Sequence, residues 1–222
     1  MKGSAYVLRL SVLLGVLLLS LPAVGVRADV TDPGIVAARE LFYQGVDGDK
    51  RAVREALRQF RGLKAEQPDN PLVQAYIGAC EALLGRDGSN VTAKRTNTGQ
   101  GVRDLDAALA MLARLTADNG TDVTASIILE TRLVVANAFL HIPSFYNRLQ
   151  EGERLLRELR QDPRLDFMSP GFRASVLVSA AAIAQMNERP DDSASLLKRA
   201  HELDPAGREG RRAQQMLAAE TE

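Results

Sequence analysis

From residue 49 to residue 66 apolar side chains recur at three- and four-residue steps: Ala52, Val53, Ala56, Leu57, Phe60 and Leu63. Arg54, Glu55, Arg58, Arg61 and Lys64 fall on the opposite side, so the spacing predicts an amphipathic helix. The run Gln67 to Pro71 stops it, and Pro71 opens the next helix at a favoured first position. Residues 71–84 are apolar nearly all round, from Leu72 through Tyr76 and Cys80 to Leu84. A helix of that kind has neighbours on both sides. Gly85 ends it. The stretch 86–101 is polar, holds three glycines and shows no hydrophobic face, which predicts a long loop. Its Lys94 and Arg95 put local positive charge on the mildly acidic stretch 29–222, so this loop, rather than an apolar groove, is expected to give part of the contact with a partner, at an acidic surface.

The same alternation resumes beyond this stretch. Val102, Leu105, Leu109, Leu112 and Leu115 mark an amphipathic helix closed by Asp118, Asn119 and Gly120. Residues 122–140 are rich in Ile, Leu, Val and Ala, but Glu130, Arg132 and Asn137 interrupt them, which argues against a membrane span. Phe145, Leu149, Leu156 and Leu159 predict another amphipathic helix, ending at Asp162-Pro163. An apolar, Ala-rich helix over 172–187, a helix over 191–204 and a polar tail helix near 207–220 complete the pattern. No run alternates apolar and polar residues between hairpin turns, so the expected class is all-α.

These helices come in pairs, one apolar all round and one amphipathic, each pair closed by Pro or Asn-Gly. Stacked hairpins of that type bury faces that none could bury alone. Ala56, Phe60 and Pro68, and again Ser193, Leu197, Ala200 and Pro205, stand at the spacing of the second helix of a tetratricopeptide repeat. Ile77, Gly78 and Gly85 resemble the Leu-Gly pair of the first helix and the glycine between helices. The chain thus resembles a TPR-like α-solenoid of antiparallel helix pairs with a C-terminal capping helix, over most of residues 34–205. The pair boundaries Pro68, Gly120, Pro163 and Pro205 lie 52, 43 and 42 residues apart. The family period is about 34 residues, so the units here are long. The resemblance implies a concave groove lined by the first helix of each pair, holding a partner protein or peptide. By register it places Glu130, Asn137, His141 and Gln185 in that groove, together with Leu72, Ala75 and Ala79. The Lys and Asn residues of the carboxylate clamp that holds chaperone tails are missing from these positions.

Lys2 and Arg9 precede an apolar stretch from Leu10 to Leu19, Pro22 follows, and Val26-Arg27-Ala28 offers small residues for a signal peptidase. Residues 1–28 are therefore expected to be a cleaved signal peptide, with residues 29–222 as one exported, TPR-like domain. Retention of the apolar stretch as a membrane tether is the alternative. The whole chain holds 28 basic and 28 acidic residues, and residues 29–222 hold 25 and 28. Such a balance offers no footprint for nucleic acid. A single cysteine, Cys80, leaves core packing rather than a disulfide to hold the fold, and its expected place is the core.

The sequence holds no recognisable catalytic, metal or cofactor motif. His141 and His201 lie far apart, the lone cysteine is distant from both, and no phosphate loop or nucleophile elbow occurs. His201 reads as a surface residue. His141 ends a helix, where a charged imidazole favours the negative pole of the helix dipole. The sequence therefore implies a non-enzymatic, cofactor-free scaffold that binds another envelope protein or peptide, periplasmic if the source is bacterial. A small-ligand carrier, with its pocket between 122–140 and 172–187, and a membrane-tethered accessory subunit are the rival readings.

Phe60→Ala and Leu197→Ala are each expected to lower stability by about 2–5 kcal/mol, as for large apolar side chains between paired helices. A melting temperature unchanged by both substitutions would show that the repeat register is wrong.

Overall fold

The structure, a computed structural model, describes residues 29–117 and 124–219. The expected signal segment, residues 1–28, lies outside them. The described residues form nine α-helices and no strand. In chain order they are α1 (Pro33–Val46), α2 (Lys50–Glu66), α3 (Pro71–Arg86), α4 (Val91–Ala117) and α5 (Ala125–His141). After them come α6 (Leu149–Gln161), α7 (Pro170–Met186), α8 (Pro190–Leu203) and α9 (Arg208–Ala219). Short 3-10 turns over Ser144–Tyr146 and Pro163–Phe167 flank α6.

Local chemistry starts these helices where the sequence punctuates. Asp32 accepts from the amides of Gly34 and Ile35 at 2.8 and 3.1 Å, and Pro33 then begins α1. Asn70 accepts from Leu72 and Val73 ahead of α3, and Ser169 accepts from Phe172 ahead of α7. Each cap satisfies amides that have no partner within the helix.

Consecutive helices pack as α1 with α2, α3 with α4, α5 with α6 and α7 with α8, and α9 packs on α8. The all-α helical-repeat solenoid expected from the pattern is the fold. The first helices α3, α5 and α7 are buried on most sides, whereas α2, α6 and α8 bury one stripe. Phe60 of α2 stacks on Tyr76 of α3 with centroids 4.7 Å apart, and Phe42 of α1 meets that ring edge-on at 5.1 Å. Cys80 is buried there, and burial pushes its thiol pKa up, with Glu81 adding to the shift. A second apolar cluster joins α7, α8 and α9 through Leu177, Leu197, Ala200 and Ala213. No helix among the described residues is long and apolar enough to cross a membrane.

Two expectations are corrected. The stretch 86–101 is not a long loop: only 87–90 connect, and α4 runs from Val91 for 27 residues. Asn90 starts it by accepting from the Ala93 amide at 2.8 Å. The first turns of α4 lack an apolar stripe because they touch α3 through backbone instead of side chains. A Cβ on Gly101 would stand 2.7 Å from the Gly78 carbonyl oxygen and 2.8 Å from the Ala82 nitrogen. A Cβ on Gly78 would equally meet the Leu105 nitrogen at 2.8 Å, and one on Gly85 the Thr98 nitrogen at 2.8 Å. Only glycine permits this approach. Gln74 of α3 adds a 2.9 Å bond to Asp104 of α4.

The second correction concerns Phe145. It does not open an amphipathic helix but sits in the 3-10 turn before α6, 64% exposed. Asn147, left-handed at φ 55°, separates that turn from Leu149.

Gly101→Ala is expected to destabilise by about 1–3 kcal/mol, because the opposing atoms are main chain and cannot step aside. Gly62 sits exposed in the middle of α2 with nothing within 4 Å of its would-be Cβ. There Gly62→Ala is expected to stabilise by about 0.5–1 kcal/mol through helix propensity alone. Urea unfolding of both variants checks the pair, and a shift of the same sign in both would refute the backbone contact.

Candidate functional site

The first helices of the four pairs stand side by side and wall a groove of about 1600 Å3. Val36, Arg39 and Tyr43 of α1, Leu83 of α3, Leu133 and Asn137 of α5, and Ser175 and Val178 of α7 face it. The start of α4, the two 3-10 turns and α9 form its rim.

Five of the six expected site residues line this groove: Glu130, Asn137, His141, Lys94 and Arg95. Gln185 does not; it is exposed near the end of α7, beyond the stretch of that helix that meets the groove. Of the three apolar register positions, Ala79 reaches the groove, while Leu72 and Ala75 are wholly buried in the core.

Glu130 is a structural anchor. Its carboxylate takes Arg39 Nη1 at 2.7 and 3.0 Å on its two oxygens, and Tyr76 Oη donates to it at 2.7 Å. Helices α1, α3 and α5 are thereby tied together at the groove floor. Burial works against the Arg39 charge, yet Glu130, with Tyr76 and Tyr43 after it, outweighs burial and the guanidinium pKa lies above its ordinary value. Burial, followed by Glu130, lifts Tyr76 well above the ordinary phenol range. Tyr43 is pushed up to about 12, by burial first and then by Glu130 and Glu209.

His141 stands in the last turn of α5, at the helix end where the sequence places it. The surrounding groove walls desolvate it, and Arg212 and Arg86 repel its charge, so its pKa falls below the ordinary value. The imidazole therefore favours its neutral form more than a free histidine does. His201 is not simply a surface residue: its Nδ1 meets the Gly210 carbonyl at 3.1 Å and ties α8 to α9.

Lys94 and Arg95 are exposed on the first turns of α4, held at the rim by a 3.1 Å bond from Tyr146 Oη to the Arg95 carbonyl. Neither forms an ion pair among the described residues. Asn137 likewise makes no side-chain hydrogen bond among them, and its amide opens to the groove. Large apolar side chains stay exposed at the rim: Val91 at 71% and Phe167 at 90%, beside Phe145.

Nothing in the sequence pattern points to Arg208, which joins the groove from α9. Its guanidinium lies 4.2 Å above the Tyr43 ring and 2.9 Å from Asp47, bridging α9 to α1 across 161 residues. The groove's two ends thus meet at one side chain. A cation whose partners lie so far away in sequence leaves no local signature.

Arg39→Met is expected to cost about 3 kcal/mol, because it strands the buried Glu130 charge. Arg39→Met with Glu130→Gln is expected to recover part of that loss, since a neutral amide still accepts from Tyr76. Thermal unfolding of the single and double variants measures the difference, and equal stability would deny the anchor. No family model, no curated protein and no solved structure matches this chain, which leaves the groove's own chemistry as the guide to function.

Proposed function

We propose that this chain is an exported, TPR-like scaffold that docks a segment of another envelope protein in the groove between its first helices. The observation that carries the reading is the groove itself, rimmed by exposed Val91, Phe145 and Phe167. Large apolar side chains left in water around one groove support a binding role for it. The TPR resemblance supports the same face, since first helices line the groove in that family. Export rests on the basic, apolar and small-residue order of residues 1–28.

A small-ligand carrier is the second reading, favoured by the cavity walls that α5 and α7 supply. Small-molecule sites fill about 300–1000 Å3, and the groove's roughly 1600 Å3 suits a longer occupant.

Photo-crosslinking in intact cells, followed by recovery of the chain, tests the docking. Phe145→Ser with Phe167→Ser is expected to remove most of the crosslinked partner without loss of helical signal, because both rings are already exposed. Undiminished crosslinking would place the partner elsewhere. The intact mass of the recovered protein is expected to correspond to a chain beginning at Asp29, and a mass retaining residues 1–28 would favour the tethered form.

A further inference from the structure

The groove carries a charge that the chain as a whole does not. Residues 29–222 hold 25 basic and 28 acidic residues, a small negative excess. The groove lining instead has Arg39, Arg86, Lys94, Arg95, Arg208 and Arg212 against Glu130, Asp204 and Glu209. Its cations are not equivalent. Arg39 pairs with Glu130, Arg86 with Asp87, and Arg208 with Asp47 and Glu209. Arg212 reaches only Glu209, at 3.8 Å. Lys94 and Arg95 have no carboxylate within reach among the described residues, and they stand beside the exposed Val91. The depressed pKa of His141, caused by desolvation and then by Arg212 and Arg86, agrees with a positive potential at that end of the groove.

Three kinds of unmet surface therefore share one groove: two cations and the Asn137 carboxamide, without side-chain partners among the described residues, and exposed apolar rings at Phe145 and Phe167. A small anion would leave the rings uncovered. An acyl chain would cover the rings but strand the Asn137 amide, which needs both an acceptor and a donor. A polypeptide main chain offers that pair of groups, and its side chains can supply carboxylates and apolar contacts together.

We propose that the segment docked in the groove is an extended acidic peptide with interspersed apolar side chains. Its carboxylates face Lys94 and Arg95, its main chain pairs with Asn137, and its apolar side chains cover Phe145 and Phe167. The assignment rests on the groove being the docking site, as proposed above, and adds the chemistry of what docks.

Fluorescence anisotropy on the purified full chain tests it with a short fluorescein-labelled peptide in which Asp and Glu alternate with Leu and Phe. A matched probe carries Lys at every acidic position. The acidic probe is expected to bind more tightly, and to weaken as salt rises. Lys94→Glu with Arg95→Glu is expected to weaken it about tenfold, the scale of two partly exposed ion pairs, and to favour the Lys probe instead. Both residues are exposed, so unchanged helical signal and melting temperature accompany the effect. Asn137→Leu is expected to weaken both probes alike. Equal affinity for the two probes, or indifference to the charge reversal, would overturn the proposal. So would oleate that binds the groove when the acidic probe does not, which would mark a lipid site. If the acidic probe fails while crosslinking in cells still depends on Phe145 and Phe167, only the charge assignment falls. If both fail, the groove is not the docking site.

Discussion

The main-chain approach of α3 to α4 is the contact on which the other features of this molecule depend. Gly78, Gly85 and Gly101 let the two backbones meet at distances that any Cβ would prevent. That approach seals one side of α3, so the helix between two pairs can be apolar all round. It also gives the polar opening of α4 a surface to lean on, although the opening offers almost no apolar side chains of its own. A helix of 27 residues with a weak stripe needs tertiary support, since propensity alone stabilises isolated helices poorly. The site follows from the same contact. Because α4 begins as helix at Val91, Lys94 and Arg95 are fixed at the groove's rim and not dispersed on a tether.

The groove divides its charges between two tasks. At its floor the Arg39, Glu130 and Tyr76 groups satisfy one another and tie α1, α3 and α5 together. A buried ion pair of this sort contributes little net stability, but removing one member is costly, so the floor resists rearrangement. At the rim Lys94 and Arg95 have no ion-pair partner among the described residues. In the proposed docking, these groups sit on the edge of a frame whose interior is already committed, which keeps the cost of ordering the site low.

How much of this was legible in the sequence depends on what carries each contact. The stripes of α2, α6 and α8 and the Pro and Asn stops were readable, because apolar periodicity and capping are local. The opening of α4 was not readable, because glycine contacts have no hydrophobic signature and look like a flexible connection. Phe145 misled for a different reason: an apolar residue predicts the core only on average, and this one stays in water. At the site, register alone brought Glu130, Asn137 and His141 to the groove. It could not tell that Glu130 is consumed by Arg39, whose partner lies 91 residues away, nor that desolvation, followed by neighbouring arginines, lowers the His141 pKa. Gln185 failed because its helix leaves the groove before reaching that position.

Repeat arrays ordinarily tolerate changes in copy number, because each unit touches only its neighbours and the ends are free. Here Arg208 joins the last helix to Tyr43 and Asp47 of the first, so the array is a closed circuit. Inserting or deleting one hairpin would carry α9 away from α1 and break that circuit, however well the new unit stacked. The number of units is thereby tied to the reach of one guanidinium.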